Sequence, residues 1–519
     1  MPLDRAAFAA HVAAGYNQVP LVVATDRGAL GPVDLLRALP EEHRFLLEST
    51  RVSEEGRYSI LGAEPFATFR AKGPRYWIGG RAFEGDPIAA LKSVMQQWRG
   101  LRLPGMPLFS GGAVGFFGYG ASRYFQGLPP HPHDDLGVAD IAFHFVDAFF
   151  AFDHGADRIL AIATGDDYDA CQRRVDSLLE VIERARRRSR SAGALAAPGS
   201  PAVRAGEAWR PSAAYTSNFT KEEYLGAVAR IQSYIRTGDT YQVNLSQRLE
   251  AEYGGGGLDL YETLSRIDPV HFASYFAWGD LEIVSASPER LVRVEGGRAF
   301  TRPIAGTRRR GGDEENARFL HELRTCEKEL SEHVMLVDLA RNDLGRVCRF
   351  GSVHVSKLME IANYAHVMHI ESEVVGDVAP EMGLIDVTAS LFPGGTITGV
   401  PKIRTMEIIA ELEPHARGLY TGSIGYLSFA GEMDLNIAIR TIVLKDRRAY
   451  VQVGGGVVID SDPEREFKET LNKARSLLLA LGQAGAQAQA AAGAPAKPAA
   501  RSAWPAPSPE APQRSTPPR

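Results

Sequence analysis

The sequence has few cysteines and no long apolar run. Its three cysteines among 519 residues have no metal-ligand spacing and are too few for a disulfide framework. Free thiols are typical of a reducing compartment. The N-terminus carries Asp4, Arg5 and His11 where a secretory signal needs an apolar core, and no run of about 18 apolar residues occurs. These absences argue against a secreted or membrane-spanning protein and predict a cytoplasmic location.

A large excess of charge of either sign is also missing. The formal net charge is −5, from 58 basic and 63 acidic side chains, and no basic face interleaved with aromatic residues is found. This balance argues against a nucleic-acid partner. Hydrophobic residues make up 45% of the chain and charged residues 23%, which is typical of a globular protein with one large or two ordinary domains.

Composition divides the chain into four parts. They are an N-terminal region, a linker rich in Ala, Pro and Gly, a second folded region and a tail of mainly Ala, Gln, Pro and Ser, which cover residues 1–190, 191–212, 213–482 and 483–519. The second region begins with a capping box of Thr220 and Glu223, and apolar periodicity predicts a long helix over residues 314–339. The tail has too little apolar surface to fold, and we expect it to be disordered.

Two pairs of acidic residues in the second region have helical spacing. Glu329 and Glu332 are three residues apart on the long predicted helix. Glu466, Glu469 and Lys473 share one face of a later helix. The simplest interpretation of the later helix alone is a solvated surface with a Glu–Lys pair. Two acidic pairs with no His/Cys cluster nearby suit Mg²⁺, which prefers oxygen ligands and keeps several waters.

A strand-like segment at residues 450–453 leads into three glycines, Gly454, Gly455 and Gly456. We expect these glycines to form a turn at which the backbone approaches a ligand closely and offers N–H groups to an anion. Together with the acids and Lys473, this turn predicts a site for a metal-bound, carboxylated small molecule.

Four other side chains suit acid–base chemistry or anion binding. Glu289 follows a strand and a proline, and a partly buried carboxyl there would act as a general acid. His369 is an acid–base candidate, although a single histidine is more often a satisfied core residue. Tyr420 and Arg440 are candidates for binding a carboxylate.

Six stretches of the second region together resemble the chorismate-utilising enzyme family. They are ASPE, PIAGT, EHVMLVDLARND, GGTITGVPKIR, YTGSIGY and DPEREFKETLNK, at residues 286–289, 303–307, 332–343, 394–404, 420–426 and 462–473. Each is weak alone, but several long motifs in the family's order are specific. The resemblance runs from about residue 220 to 482, with a family-type N-terminal region before it. It implies an α/β (α+β) fold of packed, mostly antiparallel sheets with outer helices.

The family has a magnesium site beside a chorismate pocket. By motif, Glu332 and Glu469 look like the Mg²⁺ ligands, with Glu329 and Glu466 supporting them. The metal would hold the ring carboxylate of chorismate.

The resemblance also implies roles for the other candidates. Glu289 looks like the general acid that helps the ring hydroxyl leave, and His369 like the residue that orients or protonates the ring. Thr307 and Thr396 resemble contacts to ring hydroxyls. The residues that resemble binders of the enolpyruvyl carboxylate, or lie near it, are Tyr420, Arg440, Gly454, Gly455, Gly456 and Lys473.

Gln242 indicates the nucleophile. Water-using members of the family carry a lysine at this position, which activates water as a base, whereas glutamine does not. Ammonia needs no such base, so Gln242 favours an ammonia-using enzyme over a water-adding one. A non-catalytic relative is a weaker alternative, because the metal ligands and the acid are all present. The cysteines have no nucleophile-elbow context, so a separate glutamine amidotransferase subunit is implied as the ammonia source.

Two ammonia-using branches of the family fit, and they form anthranilate or 4-amino-4-deoxychorismate. The second branch uses a lysine where this chain has Ala305, which favours the anthranilate-forming branch. The N-terminal segments at residues 15–20 and 46–49 favour it too. The segments at residues 241–244, 287–290 and 394–395 look more like the aminodeoxychorismate-forming branch. We rank anthranilate formation first.

Glu48 and Ser49 form part of a possible inhibitor site. In the anthranilate-forming branch, a Leu-Leu-Glu-Ser loop and an Asn-Pro-Ser-Pro-Tyr-Met segment build the tryptophan pocket. Here the loop is present at residues 46–49, but the second segment reads DPVHFASY at residues 268–275, and Ala273 or a neighbour replaces the methionine. We expect tryptophan inhibition to be weak or absent. The simpler interpretation is that Glu48 and Ser49 only cap a strand turn.

Overall fold

Two antiparallel sheets of twelve strands each organise the computed structural model, which describes residues 3–50, 56–191, 214–309, 312–363 and 367–491. The helices are α1 (Arg5–Ala13), α2 (Pro32–Arg37), α3 (Pro87–Gln96), α4 (Ser122–Gln126), α5 (Tyr168–Ser191), α6 (Lys221–Arg236), α7 (Gly257–Ile267), α8 (Asp313–Thr325), α9 (Glu327–Gly345), α10 (Leu384–Leu391), α11 (Lys402–Leu412), α12 (Pro463–Lys473) and α13 (Arg475–Ala491). The expected α+β fold of packed antiparallel sheets is confirmed.

The strands are mostly short and join neighbours by antiparallel pairing. They are β1 (Val19–Asp26), β2 (Phe45–Glu48), β3 (Tyr58–Gly62), β4 (Ala67–Lys72), β5 (Arg75–Ile78), β6 (Arg81–Glu84), β7 (Gly112–Phe117), β8 (Ile141–Val146), β9 (Ala148–Asp153), β10 (Arg158–Gly165), β11 (Thr216–Ser217), β12 (Gln242–Glu252), β13 (Phe272–Trp278), β14 (Leu281–Ser287), β15 (Arg290–Glu295), β16 (Arg298–Thr301), β17 (Ile304–Arg309), β18 (His354–Asn363), β19 (Val367–Asp377), β20 (Gly399–Val400), β21 (Ser423–Ser428), β22 (Met433–Asn436), β23 (Thr441–Lys445) and β24 (Arg448–Val457).

Both sheets combine strands from the N-terminal and the second region. The first has the order β1-β10-β9-β3-β2-β13-β14-β23-β24-β12-β11, and β20 also pairs with β12. The second has the order β17-β19-β16-β15-β22-β21-β7-β8-β4-β5-β6, and β18 also pairs with β19. The two regions meet where β2 pairs with β13 and where β7 pairs with β21. The expected linker at 191–212 lies almost entirely outside the described residues.

Aromatic side chains fill the space between the two sheets. Phe45 and Phe276 of the first sheet lie in one buried cluster with Phe116 and Ile424 of the second. Burying one such side chain is worth about 1.5–3 kcal/mol, so this layer holds the sheets face to face. The helices cover the outer faces: Leu471 of α12, for example, belongs to the core of the first sheet.

The helix expected over residues 314–339 is wrong as a single element. Helix α8 ends at Thr325 and α9 begins at Glu327, because Cys326 has extended backbone with φ −74° and ψ 96°. Leu323 and Leu336 are buried on either side of the break. Apolar periodicity therefore continues across the interruption and does not reveal it.

The C-terminal helix is longer than the composition indicated. Helix α13 continues through Ala491, so residues 483–491, which were expected in the tail, are helical. Ala484 is buried, and a side chain placed at Gly255 would lie 3.4 Å from Ala488 Cβ. Packing of small residues therefore extends the helix past Gly482, and the rest of the tail lies outside the described residues. Within the described ranges, no helix is long and apolar enough to cross a membrane.

Candidate active site

The candidate site lies along the glycine segment of β24. Strand β12 pairs with β24 as far as Val457, whereas the pairing of β23 stops at Val451. The expectation of a glycine turn at 454–456 is wrong, because Gly455 pairs with Leu245 inside the ladder. Hydrogen bonds of a ladder come from the backbone, so glycines extend the strand even though alternation of side chains ends there.

The glycines let other side chains approach the strand closely. A Cβ atom at Gly454 would lie 2.8 Å from the Tyr420 hydroxyl and 2.7 Å from Asn244 Oδ1, and one at Gly456 would overlap Gln242 Nε2. Contacts this short are not found for real Cβ atoms, so any larger residue would displace these groups. The glycines therefore make room for these side chains, and the close approach of the strand to a ligand stays a prediction.

Helix α12 brings its polar face to the same glycines. Asp462 caps the helix by accepting a hydrogen bond from Arg465 N at 2.9 Å. A Cβ atom at Gly455 would lie 3.3 Å from Glu466 Oε2 and 3.9 Å from Glu469 Oε1. Lys473 Nζ pairs with Glu469 at 2.8 Å. It also donates to the carbonyl oxygen of Gly454 at 3.0 Å, so the Glu–Lys pair is attached to the strand.

Helix α9 supplies another acid, Glu332, next to β12. Gln242 Nε2 donates to Glu332 Oε1 at 3.0 Å. Glu329, one turn earlier, instead accepts from Arg308 at 2.7 Å. Glu332 is therefore next to the β12–β24 pair, whereas Glu329 is paired with Arg308, a contact that the sequence did not predict.

The carboxylates of Glu332, Glu466 and Glu469 are hard oxygen donors of the kind that Mg²⁺ takes. Among the described residues, no three or more His, Cys, Asp or Glu side chains are grouped so that they could hold a metal ion, and these three acids are therefore not brought together as one ligand set. Mg²⁺ keeps several waters and commonly takes one or two carboxylates together with substrate oxygens. Glu332 at Gln242 and Glu469 near Gly455 are acids of the type that such a site uses.

Glu289 has the environment of a proton donor. Burial raises the pKa of its carboxyl to about 7, although a hydrogen bond from Thr396 and the positive charges of Lys473 and Arg440 act in the opposite direction. The Thr396 hydroxyl donates to Glu289 Oε1 at 2.8 Å. A carboxyl with a pKa of about 7 is mostly protonated in mildly acidic solution and about half protonated at neutral pH, so it can act as a general acid there.

His369 is held in one orientation by the backbone. Its Nδ1 lies 3.1 Å from the carbonyl oxygen of Gly306, and burial lowers the pKa of the ring. A carbonyl oxygen only accepts, so Nδ1 carries the hydrogen of the neutral ring and Nε2 has the lone pair. The backbone of Thr307 pairs with His369 across β17 and β19. The side chain of Thr307 lies outside what the structure describes.

Tyr420 and Arg440 lie near the same strand end. Tyr420 is buried, and burial raises the pKa of its hydroxyl. Arg440 comes directly before β23, has a φ of 48°, and lies 3.6 Å from an oxygen of Asp268. Its charge lowers the pKa of both Glu289 and His369, so the acid, the imidazole and the guanidinium are near each other.

Glu48 and Ser49 lie in a separate cavity of about 360 Å³. Glu48 accepts hydrogen bonds from the hydroxyls of Tyr261 at 2.7 Å and Ser59 at 3.5 Å, and burial raises the pKa of its carboxyl. Ala273 lies in the wall, opposite Glu48 in the β2–β13 pairing. The cavity lining contains none of the candidate catalytic residues.

A model of the family described as chorismate binding enzyme matches residues 42–479. Anthranilate synthase component 1 of Acetivibrio thermocellus is 41% identical over 482 residues, which cover 91% of this chain and 97% of that protein. The protein of the same name from Thermus thermophilus is 43% identical over 445 residues, which cover 85% of this chain and 93% of that protein.

Solved structures agree with this relationship. Anthranilate synthase component I from Streptococcus pneumoniae superposes with a TM-score of 0.70 at 34% identity, covering 88% of this chain and 99% of that one. The menaquinone-specific isochorismate synthase of Escherichia coli has a TM-score of 0.63 at 16% identity, covering 92% of this chain and 99% of that one, and shows a shared fold only.

Proposed function

The chain belongs to the family of chorismate-binding enzymes, and we propose that it converts chorismate and ammonia to anthranilate, pyruvate and water. Relatives that cover more than nine tenths of the chain at about 40% identity carry the name anthranilate synthase component 1. Ala305, in place of the lysine of the aminodeoxychorismate-forming branch, agrees with this product.

The observation that carries the choice of nucleophile is the contact between Gln242 and Glu332. The Gln242 amide donates to the carboxylate at the edge of the glycine strand. An amide has no basic nitrogen and does not remove a proton from water, whereas ammonia attacks without such help. The site is therefore suited to amination rather than to hydration.

The acid and the imidazole divide the proton transfers. Attack of ammonia at ring carbon 2 shifts the ring double bonds and expels the ring hydroxyl, which takes the proton of Glu289 and leaves as water. Elimination then removes the hydrogen of carbon 2 and releases the enolpyruvyl group as pyruvate. His369 is fixed through Nδ1, so its Nε2 carries the lone pair and is suited to orient the reacting ring or to take up a proton.

Glu332 and Glu469 would hold Mg²⁺, with Glu466 in support. The cation supplies a positive charge for the ring carboxylate of chorismate. Tyr420 and Arg440 are suited to the enolpyruvyl carboxylate. Lys473 bonds to the carbonyl of Gly454 and so fixes the strand against α12 at this point.

Ammonia would come from a separate glutamine amidotransferase subunit. Burial raises the pKa of Cys171 and of Cys348 to about 11 each, so neither thiol is a ready nucleophile at neutral pH. Cys326 lies at the break between α8 and α9. The names of the relatives, which specify a component 1, agree with a second component. A cytoplasmic location fits the three free thiols.

We also propose that the two regions of the chain have different roles. Residues 213–482 supply the groups around the glycine strand, and residues 1–190 supply half of the cavity at Glu48. Ser274 Oγ and Arg293 Nε in this cavity region are buried and have no hydrogen-bond partner among the described residues, as in a pocket for a polar effector.

Product analysis tests the proposed function. The purified chain is incubated with chorismate, Mg²⁺ and ammonium chloride, and the products are separated and identified. We expect anthranilate and pyruvate in equal amounts, no anthranilate with glutamine alone, and loss of activity with EDTA. Isochorismate or 4-amino-4-deoxychorismate as the main product would overturn the proposal.

A further inference from the structure

Arg417 is a buried cation directly behind the candidate active site. Only 1% of its side chain is exposed, and it pairs with Glu413, whose side chain is 2% exposed. A guanidinium has five N–H groups. Here each has an acceptor: Nε donates to Glu413 Oε2, Nη2 to Glu413 Oε1 and the Asn244 carbonyl, and Nη1 to the Ile397 carbonyl and the Thr421 hydroxyl, at 2.6–3.1 Å.

These acceptors belong to three segments that build the pocket. Asn244 is two residues from Gln242 on β12. Ile397 ends the 3-10 turn Gly395–Ile397, which carries the Thr396 hydroxyl that bonds to Glu289. Thr421 follows Tyr420. Bonds to two backbone carbonyls link Arg417 to the main chain of the first two segments, next to the backbone pairing of β12 with β20.

The guanidinium also lies between two tyrosine rings. Its central carbon is 5.0 Å from the ring centre of Tyr119 and 5.5 Å from that of Tyr420. Glu413, which holds the guanidinium, also accepts from the backbone N and the hydroxyl of Ser246 on β12, at 2.8 and 2.7 Å. The Arg417 guanidinium is thus held by five hydrogen bonds from its N–H groups and by contacts with two aromatic rings.

We propose that Arg417 is a positioning residue that holds Gln242, the Thr396–Glu289 pair and Tyr420 in one catalytic geometry. The inference rests on the proposed function, since it assigns a further residue to the same pocket. Arg417 does not need to touch chorismate. It acts through β12, the 3-10 turn and the Tyr420 ring, and a misplacement of about 1 Å in such a site costs about 100-fold in rate.

The variant that tests this role is Arg417→Lys. Lysine keeps a positive charge beside Glu413 but has three N–H groups and no planar fork, so the bonds to the pocket segments are lost in part. We expect kcat with ammonium to fall about 10- to 100-fold at saturating chorismate. The basic limb of the pH profile of kcat should also move to higher pH, because a weakened Thr396 hydrogen bond no longer stabilises the charged form of Glu289.

Arg248→Lys is the matched control. Arg248 is a buried arginine on β12, binds Asp135 through two bonds of 2.9 and 2.5 Å, and packs on the Tyr450 ring at 5.4 Å. The chemical change and the loss of a fork are the same, but its bonds do not reach the pocket segments. We expect this variant to lose stability while its kcat and its basic pH limb stay at the values of the unaltered chain.

A milder variant, Tyr119→Leu, tests the same role if Arg417→Lys does not fold. The Tyr119 hydroxyl has no partner among the described residues, so Tyr119→Leu removes one ring from the guanidinium without leaving a bond unmade. We expect a smaller fall in kcat with the same shift of the pH limb, and no change for Tyr119→Phe. The inference is overturned if Tyr119→Leu, or a folded Arg417→Lys, matches Arg248→Lys in kcat and in pH profile.

The proposed function and the role of Arg417 can be tested separately. An unaltered chain that forms no anthranilate overturns that function. Equilibrium binding of chorismate with Mg²⁺, measured on the same proteins, then judges Arg417: weaker binding in Arg417→Lys alone supports the positioning role, and equal binding in Arg417→Lys and Arg248→Lys refutes it.

Discussion

Glu289 is buried and Glu48 is partly buried, and both accept a hydrogen bond from a hydroxyl group and have a carboxyl pKa raised by burial. Their surroundings differ. Glu289 is influenced by the charges of Lys473 and Arg440 beside a strand of glycines, whereas Glu48 lines a cavity at the junction of β2 and β13. A raised pKa therefore does not identify the catalytic acid by itself. The catalytic acid is identified by the groups around its carboxyl, which for Glu289 are Thr396, Lys473 and Arg440.

The largest expected effect separates the two glutamates directly. Glu289→Gln removes the proton that the leaving hydroxyl needs, and we expect kcat with ammonium to fall about 10²- to 10⁴-fold. Glu48→Gln is the matched change in the other carboxyl with a raised pKa, and its ammonia-dependent kcat should stay close to that of the unaltered chain. Equal losses in the two variants would show that the comparison is wrong.

A second variant tests the proposed Mg²⁺ ligand on α12. Glu469→Gln leaves the fold intact, because the side chain is half exposed, but removes one proposed Mg²⁺ ligand. We expect the Mg²⁺ concentration for half-maximal activity to rise at least about tenfold. Lys468→Gln, on an exposed face of the same helix, is the control. Near-normal activity of Glu469→Gln at limiting Mg²⁺ would exclude Glu469 as a ligand.

The pH dependence of kcat sharpens the assignment of Glu289. A general acid works only when protonated, and burial places the pKa of this carboxyl at about 7. Activity should therefore be retained below this value and lost as the pH rises through it. The profile is measured with the ammonia concentration, rather than total ammonium, held constant. A rate that stays level from pH 6 to 9 would contradict the assignment.

The sequence predicted local features better than contacts between distant segments. The strand at residues 450–453 and the capping box of Thr220 and Glu223 follow from local patterns, and the acids of α9 and α12 were assigned by motif. The pairs Arg308–Glu329 and Arg417–Glu413 were not anticipated. Glu413 and Arg417 have the i, i+4 spacing of a helical pair, but they follow α11. Arg417 donates to Asn244 and Glu413 accepts from Ser246, both on the distant strand β12. Contacts of that kind depend on how strands come together, which spacing alone does not encode.

The smallest expected effect concerns the cavity at Glu48. An indole needs close apolar contact, and the loss of contact area, at about 25 cal/mol per Å², weakens binding by tenfold or more when Ala273 replaces a longer side chain. We expect weak or absent inhibition of ammonia-dependent activity by tryptophan, measured by titration. Ala273→Met should strengthen any inhibition, and inhibition of the unaltered chain at low micromolar tryptophan would contradict this expectation.

The central claim is that this chain alone joins ammonia to carbon 2 of chorismate. The most direct measurement uses ¹⁵N-labelled ammonium together with unlabelled glutamine, Mg²⁺ and chorismate, with the product analysed by mass spectrometry and NMR. We expect anthranilate with ¹⁵N at its amino group and no nitrogen from glutamine. Unlabelled anthranilate, or ¹⁵N bound at carbon 4, would contradict the claim.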